Sequence, residues 1–323
     1  MNYSDILGNK VLSGGTITRE EALKLCNEPL EELCAKADEI RRKFCGNKFD
    51  VCTIINGKSG RCSEDCKFCA QSSHYRTGVD KYSLLSAEEM LQRAKEDDIN
   101  GSAHYGIVTS GKALSDEEID AVCEAIRRIV TETNIAVCAS LGLLNESQYG
   151  KLKEAGVVRV HNNLETSERF FPNVCTTHRY SEKINAIRSA QDAGLEVCSG
   201  GIMGIGESTE DRIDMALSLR ELGIDSVPIN MLTPVAGTPL ALREVIGGEE
   251  LRRIIAVYRF MLPNASIRVA GGRGLLADKG RKCFASGANA SISGNMLTTS
   301  GYDLKGDMKL FAELGFRIEY RSN

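Results

Sequence analysis

The regular alternation of β-rich and helical segments from residue 51 onward constrains the fold of this chain most strongly. Eight β-rich segments begin near Val51, Ala103, Ile135, Val157, Glu196, Ser226, Ser266 and Ala288. Segments with helical periodicity lie between them, at residues 87–95, 116–130, 182–193, 211–222 and 249–261. This order predicts an α/β fold, a (β/α)8 TIM-type barrel, with an open doubly wound sheet as the alternative.

The first 46 residues differ from the rest because they read as helical throughout, and they predict an N-terminal helical extension. No linker rich in Pro, Gly or Ser divides the remainder, so residues 47–323 are predicted to form one barrel domain. Ser86, Ser115 and Ser181 each stand one residue before an acidic or alanine-led first turn, which predicts that they cap helices.

Composition excludes several classes of function. The formal net charge of −4 and the dispersed basic residues do not indicate a nucleic-acid partner. The apolar runs are too short to span a bilayer, and the N-terminus has no signal-peptide pattern. We therefore predict a cytoplasmic protein, in which the twelve cysteines are not expected to form disulfides.

Three of these cysteines, Cys62, Cys66 and Cys69, form a C-x3-C-x2-C pattern with no fourth cysteine close by. Three thiolates on one short loop can hold three irons of a 4Fe–4S cluster and leave the fourth iron open to a ligand. The alternatives are a structural zinc site with His74 as the fourth ligand, and chance clustering in a cysteine-rich chain. In a barrel, this loop follows the first strand, at the face where functional groups collect.

The chain from about residue 50 to its end resembles the biotin synthase family of the radical S-adenosylmethionine (SAM) superfamily. The resemblance is carried by residues 62–72, 162–167, 197–202, 226–232, 237–240 and 268–273. It implies a sulfurtransferase that converts dethiobiotin to biotin. In this family SAM chelates the open iron, and its reductive cleavage gives a 5′-deoxyadenosyl radical. An auxiliary iron–sulfur cluster, 2Fe–2S or larger, supplies the sulfur.

The resemblance also assigns residues to SAM. These are Phe68, Asn163, Glu165, Gly201, Ile202 and Gly204. Asn163 and Glu165 are two residues apart at the end of the fourth strand, so they are expected to share a face. The family usually has Asp at Glu165 and often Asn at His161. The glycine-rich run after the fifth strand, read alone, is equally consistent with a tight β-to-α turn.

Three further residues are assigned to dethiobiotin, together with Asn163. Asn230 lies inside an apolar strand and is predicted to bind the ureido ring, with a core amide satisfied by backbone as the alternative. Thr298 and Thr299 follow the eighth strand and are predicted to bind the substrate carboxylate, with surface turn residues as the alternative.

The auxiliary cluster of the family takes three cysteines and an arginine. The matching positions here are Cys138, Cys198 and Arg268. The third cysteine is replaced by Gly106, which predicts altered ligation, with Cys52 of the first strand as the best substitute and Cys175 as the alternative. Both cysteines could instead be packed core thiols, and Arg268 could be a paired structural charge.

Two other functions stay open. One is a radical SAM reaction without sulfur insertion, such as that of a hydrogenase-cofactor maturase, and the other is a zinc-stabilised binding protein without catalysis. For the leading function, the resemblance implies dethiobiotin, SAM and an electron donor such as flavodoxin or ferredoxin as partners. It also implies a homodimer, and neither a membrane nor a nucleic acid is expected to take part.

Overall fold

The structure is a computed structural model that describes residues 2–298 and 301–320. The strands are β1 (Lys48–Lys58), β2 (His104–Thr109), β3 (Ala136–Ser140), β4 (Arg159–His161), β5 (Glu196–Cys198), β6 (Gly201–Met203), β7 (Ser226–Met231), β8 (Ser266–Val269), β9 (Ala290–Ile292) and β10 (Arg317–Ile318). All pairings between these named strands are parallel, and β1 contacts both β2 and β9, so the sheet closes on itself. This confirms the predicted (β/α)8 barrel.

Helices follow the strands around the outside of the barrel. They are α1 (Tyr3–Leu12), α2 (Arg19–Leu25), α3 (Leu30–Cys45), α4 (Ala87–Ile99), α5 (Asp116–Glu132), α6 (Glu146–Ala155), α7 (Tyr180–Asp192), α8 (Thr209–Glu221), α9 (Gly248–Met261), α10 (Arg281–Phe284) and α11 (Leu304–Glu313). None of those in the described ranges is long and apolar enough to cross a membrane. Their apolar faces pack on the outer face of the sheet and form one continuous core.

Each predicted β-rich segment is a barrel strand, but the fifth is interrupted. Cys198 pairs with Ser226 of β7, whereas the next paired residue is Gly201, opposite Ile229. β5 and β6 together therefore occupy one position in the barrel. The break between them bends the backbone of residues 199–200 beside the barrel cavity.

Two of the three predicted helix caps are confirmed. The hydroxyl groups of Ser86 and Ser115 accept hydrogen bonds from backbone amides of α4 and α5, each in a capping box. The prediction for Ser181 is wrong, because α7 begins two residues earlier than a Ser181 cap requires and Arg179 is its N-cap. The backbone amide of Arg179 donates to the Glu182 carboxylate at 2.8 Å, which fixes the start of the helix there.

The N-terminal helices pack against the barrel's outer helices rather than standing apart. α3 buries Leu33 and Ile40 and packs along α9, where Arg252 makes a bidentate ion pair with Glu31 at 2.7 and 2.8 Å. α2 contacts α8 in the same region. The division into an extension at residues 1–46 and a barrel domain at residues 47–323 stays a prediction.

Candidate active site

A cavity of about 440 Å³ runs inside the barrel and carries two separate groups of cysteines on its wall. Cys62 and Cys66 line it from the loop that follows β1. Cys52, Cys138 and Cys198 line it from within the strands. Cys52 lies six residues before the end of β1, so about 20 Å of extended chain separates it from the strand end. We call the end of the cavity at Cys62 and Cys66 its mouth and the end at Cys52, Cys138 and Cys198 its floor. Both ends carry thiols.

Backbone hydrogen bonds shape the cysteine loop at the mouth. The amide of Cys62 donates to the carbonyl oxygen of Gln71 at 3.0 Å, and the amide of Cys69 donates to that of Cys66 at 2.9 Å. Burial raises the pKa of the Cys69 thiol to about 11. A metal ligand must be deprotonated, so bound iron would have to offset this effect of burial on Cys69. Three thiols on one short loop still match the ligand set of a cluster with one open iron.

The zinc alternative required His74 as a ligand, and the structure does not bring His74 to the cysteines. Its imidazole is exposed, with Nε2 2.9 Å from the carbonyl oxygen of Ser63. The imidazole beside this loop is that of His178, which the sequence reasoning missed. One His178 ring nitrogen and the sulfur atoms of Cys66 and Cys175 lie within 4.8 Å of one another.

Cys175 therefore lies at the mouth of the barrel and not beside Cys138, where the alternative auxiliary ligation would need it. A hydrogen bond from Cys66 is the largest cause that lowers the pKa of the Cys175 thiol to about 4. Its sulfur also lies 3.2 Å from Asp65 Oδ1 and 3.3 Å from His178 Nδ1. These contacts tie Cys175 to the loop of Cys66.

On the floor, Cys52 reaches the two cysteines of the family pattern. A hydrogen bond between Cys138 and Cys52, together with burial, raises the pKa of Cys138. Burial alone would raise the pKa of Cys198, but a hydrogen bond to His161 and the nearby Arg268 charge lower it to about 7. The floor thus has groups that favour the ionised form of Cys198, whereas the surroundings of Cys138 favour its neutral form.

Cys52 lies beside Gly106, the position at which the family has its third cysteine. Gly106 of β2 pairs with Ile54 on one side and with Cys138 on the other. A Cβ atom built on Gly106 would lie 3.9 Å from the Cys52 sulfur. The Cys52 thiol is therefore close to where a cysteine at position 106 would present its own.

A charged group built on Asp50 surrounds these thiols. The Asp50 carboxylate lies 2.5 Å from Arg268 Nη2, 2.9 Å from Arg159 Nη1 and 2.9 Å from His104 Nδ1. Burial opposes ionisation of Asp50, but the Arg268 charge and the other two partners hold its pKa well below the ordinary value. Arg268 is thus a paired charge, as the alternative interpretation expected, and it also lines the cavity.

The charge balance of the floor fits an anionic cluster. Arg159 and Arg268 both line the cavity, and their guanidinium groups share the Asp50 carboxylate, while Arg159 also reaches the more exposed Glu196 at 3.2 Å. Buried charges need partners of opposite sign. Thiolate-ligated iron–sulfur clusters supply negative charge, so the residues present match such a group.

Midway up the cavity, Asn163 and Glu165 meet as predicted, although they lie beyond the end of β4. Asn163 Nδ2 donates to Glu165 Oε2 at 3.3 Å, and the amide of Gly200 donates to Asn163 Oδ1 at 3.1 Å. Glu165 has a φ of 70°, a left-handed conformation that is rare for a residue with a side chain. Such strain is common where a side chain must face a ligand.

The glycine run contributes to the cavity mostly through its backbone. Ile202 lines the cavity, whereas Gly201 and Gly204 are not among its lining residues. A Cβ atom on Gly201 would lie 2.4 Å from the carbonyl oxygen of Glu165 and 2.5 Å from the sulfur of Met215. Gly201 therefore lets the protein's own chain, and not the cavity, approach its backbone closely.

Gly201→Ala is expected to displace Glu165 and to weaken SAM binding strongly, because the added methyl group has no room. We expect the SAM dissociation constant to rise roughly tenfold or more, which corresponds to about 1.4 kcal/mol. Isothermal titration with cluster-loaded protein measures it. Gly150→Ala on α6, where a Cβ atom meets nothing within 4 Å, is the matched control. Unchanged affinity in Gly201→Ala would contradict this account.

The predicted substrate residues have mixed positions. Asn230 lines the cavity, but its Nδ2 donates to the carbonyl oxygen of Gly201 at 3.0 Å and its Oδ1 accepts from the amide of Gly271 at 2.9 Å. Asn230 is therefore bonded to backbone, as the alternative expected. It also lines the cavity, and its second Nδ2 hydrogen is left for a ligand. Thr298 is exposed at the mouth and lines the cavity. Thr299 lies outside the described residues.

Sequence reasoning also missed Lys183, a buried cation in the cavity wall. Its side chain is nearly inaccessible, and its ammonium group donates to Asn162 Oδ1 at 3.3 Å. No ion pair of Lys183 is found within the described ranges. The signal was available, since Lys183 occupies the buried stripe of α7 with Ala186 and Ile187. A lysine in such a stripe indicates an anionic ligand or a buried partner.

Similarity to known proteins shows the family of this chain. Residues 58–231 match the model of the Radical SAM superfamily, and residues 228–317 match the Biotin and Thiamin Synthesis associated domain. Biotin synthase of Brachyspira hyodysenteriae is 56% identical over 319 residues, which cover 99% of this chain and 96% of that protein. Biotin synthase of Akkermansia muciniphila is 53% identical, over 99% of this chain and 100% of that protein. The chain belongs to the biotin synthase family.

Solved structures agree on the fold. Methylornithine synthase superposes with a TM-score of 0.84 at 22% identity, covering 97% of both chains. The FeFe-hydrogenase maturase from Carboxydothermus hydrogenoformans superposes with a TM-score of 0.83 at 17% identity, covering 99% of this chain and 80% of the maturase. Only the fold is shared at this identity. The biotin synthase relatives are far more similar, which favours that family over the maturase alternative.

Membership of the biotin synthase family confirms the predicted enzyme class, a radical SAM enzyme with an iron–sulfur cluster, SAM and an auxiliary cluster. It also sets aside the zinc-stabilised binding protein as an account of the chain. The individual ligand and substrate residues are not tested by these comparisons and stay predictions.

Proposed function

We propose that this chain inserts sulfur into dethiobiotin to form biotin, at the expense of SAM. One observation carries the proposal: a single cavity joins the thiols at its mouth to a second group of thiols on its floor. When bound, the clusters and SAM supply the radical chemistry and the sulfur atom. The barrel wall would supply enclosure, because residues of the strands and of the loops that follow them line the cavity between the two thiol groups.

At the mouth, Cys62, Cys66 and Cys69 would hold the 4Fe–4S cluster, with Phe68 beside it. Asn163 and Glu165 both line the cavity and are already hydrogen-bonded to each other, so their positions are fixed before a ligand arrives. Such preorganised polar groups suit ribose hydroxyls or an ureido group. Ile202 would pack against the adenosine ring.

Lys183 would pair with the carboxylate of SAM. It lies near His178, whose ring nitrogen contacts Cys175 beside the mouth cysteine Cys66. An amino acid that chelates the open iron would bring its carboxylate to this end of the cavity. The buried ammonium group would then gain the anionic partner that it otherwise lacks.

On the floor, Cys52, Cys138 and Cys198 would hold the auxiliary cluster, with Arg268 beside them. Arg268 stays ionised in this setting, since burial lowers its pKa but Asp50, Cys52 and Cys198 together raise it. It would therefore support an anionic cluster through charge and hydrogen bonding. Asn230 and Thr298, with Thr299, would hold the ureido ring and the carboxylate of dethiobiotin between the two clusters.

The proposed reaction is tested by anaerobic incubation of the reconstituted protein with SAM, a reductant and dethiobiotin. We expect both biotin and 5′-deoxyadenosine, and we expect neither product from Cys62→Ala. Formation of 5′-deoxyadenosine without biotin, in protein that holds no second cluster, would instead indicate a radical SAM reaction without sulfur insertion.

Lys183→Gln is expected to raise the KM for SAM roughly tenfold or more and to leave the KM for dethiobiotin nearly unchanged, because one buried ion pair is lost. Initial rates at varied concentrations of each substrate measure this split. Lys153→Gln, on the exposed face of α6, is the control. An equal rise for both substrates would assign Lys183 to general folding.

We further propose the physiological setting implied by the family. A flavodoxin or ferredoxin would supply the electron, and the enzyme would act as a homodimer in the cytoplasm. All twelve cysteines are free, which suits a reducing compartment. Sedimentation of the cluster-loaded protein tests the dimer, and a monomer at micromolar concentration would contradict it.

A further inference from the structure

A second group of potential metal ligands lies around Cys66. The sulfur atoms of Cys66 and Cys175 and one ring nitrogen of His178 lie within 4.8 Å of one another. Across residues 2–298 and 301–320, this is the one group of three such ligand atoms found at that spacing. Cys175 and His178 are buried and Cys66 is half-buried, so the ligand atoms are shielded from water.

The protein backbone holds this group together without help from the thiols. The amide of Lys67 donates to the carbonyl oxygen of Val174 at 3.0 Å, directly beside Cys66 and Cys175 in sequence. The Asp65 carboxylate accepts from the amides of residues 176 and 177, at 2.8 and 3.2 Å. The segment that carries Cys175 is therefore fixed against the cysteine loop.

A buried carboxylate and the second ring nitrogen of His178 lie beside these ligand atoms. Glu64 is buried, and its Oε2 lies 2.5 Å from His178 Nδ1. His178 Nε2 is also buried, and it has no hydrogen-bond partner in the described part of the chain. Two sulfurs and an imidazole are donors typical of a tetrahedral divalent ion, and the Glu64 carboxylate holds that imidazole in place.

The spacing distinguishes a single ion from a cubane cluster. With Zn–S bonds of about 2.3 Å, two thiolates on one tetrahedral ion lie roughly 3.8 Å apart. Thiolates on a cubane are farther apart, because each binds a different iron atom. Cys62, Cys66 and Cys69 do not form a group at the shorter spacing, whereas Cys66, Cys175 and His178 do.

We propose that, in the cluster-free chain, Cys66, Cys175 and His178 bind one thiophilic divalent ion, for which Zn²⁺ is the best fit. Because Cys66 is shared with the 4Fe–4S cluster, a point that rests on the proposed function, the two metal centres exclude each other. Zinc bound at this site therefore blocks assembly of the cluster.

Cobalt is the probe, because tetrahedral thiolate-bound Co²⁺ has intense visible bands and Zn²⁺ has none. Co²⁺ is added anaerobically to the reduced, cluster-free full chain carrying Cys52→Ser, Cys138→Ser and Cys198→Ser, which keeps the floor thiols from competing. We expect one equivalent of tetrahedral cobalt, displaced by one equivalent of Zn²⁺. Cys175→Ser and His178→Gln are expected to lose or shift these bands, and Cys283→Ser, at a buried cysteine of α10, is expected to keep them.

Two variants then separate the sites. Cys62→Ala is expected to lose the 4Fe–4S cluster and keep the cobalt bands, while Cys175→Ser loses the bands and still assembles the cluster. One equivalent of Zn²⁺ slows cluster assembly in the unmodified chain but not in Cys175→Ser. Absence of tetrahedral cobalt, or unchanged bands in both Cys175→Ser and His178→Gln, would overturn the metal site. A cluster retained in Cys62→Ala would overturn the proposed cluster ligation instead.

Discussion

Cys52→Ala is expected to lower biotin formation at least about 100-fold while cleavage of SAM to 5′-deoxyadenosine continues. Loss of residues that only orient metal ligands costs about 10- to 100-fold, and a direct ligand is expected to cost more. The mouth cysteines are on a separate loop, so the first cluster should still form. Both products are measured in single-turnover reactions, and the auxiliary cluster is followed by Mössbauer spectroscopy.

Moving the thiol from β1 to position 106 of β2, where the family has its cysteine, also tests whether Cys52 is a cluster ligand. In Cys52→Ser/Gly106→Cys, the new side chain starts 3.9 Å from the position of the former sulfur, with Ile54 Cγ2 as its tightest neighbour at 3.2 Å. We expect this double variant to regain the auxiliary cluster and much of the activity. Cys123→Ala, at a buried cysteine of α5, is the control for loss of a thiol. An unaltered auxiliary spectrum in Cys52→Ala would show that Cys52 is not a ligand.

Asp50→Asn is expected to lower the free energy of unfolding by about 3–5 kcal/mol, because removing one partner leaves buried charges uncompensated. The side chains of Asp50, Arg268 and Arg159 are 10%, 3% and 14% exposed, so solvent screens them little. Urea unfolding of both proteins with matched cluster content measures the difference. Asp192→Asn, at the exposed end of α7, is the control, and equal stabilities of Asp50→Asn and the unmodified chain would contradict the expectation.

The stability that Asp50 contributes is expected to depend on pH in a defined direction. The pKa of Asp50 in the folded chain is lowered well below 3.8, since burial raises it but Arg268, His104 and Arg159 together outweigh burial. A depressed folded pKa gives stability that is fully present above the unfolded pKa and is lost as the pH falls through the folded pKa. The difference between the unmodified chain and Asp50→Asn should therefore be constant above about pH 5 and shrink in stronger acid. Growth of the difference on acidification would contradict this.

The order of the elements could be predicted because it depends on local pattern. Eight β-rich segments and the helices between them follow from hydrophobic periodicity, and a closed parallel barrel buries such strands on both faces. The start of α7 could not be predicted, since Ser181 and Arg179 compete for the same helix end. The Glu182 side chain decides between them through its bond to the Arg179 amide.

The candidate site was predictable where its residues are close in sequence. The spacing of three cysteines predicts a cluster, because thiolates on one short loop can reach the same metal centre. These cysteines are Cys62, Cys66 and Cys69. Asp50 gave no such signal, as its partners Arg159 and Arg268 are more than 100 and 200 residues away. A single carboxylate in a β-rich segment looks the same whether it faces solvent or two guanidinium groups.

The sequence by itself determined the barrel, the cluster loop and the family, because each depends on residue types at short, fixed separations. Only the tertiary structure decided that Cys52 lies by the vacated position of Gly106 and that Cys175 lies beside Cys66 instead. Closure of the barrel brings strands from opposite ends of the chain into contact. The register of neighbouring strands then sets which thiols meet, and no local pattern encodes that register.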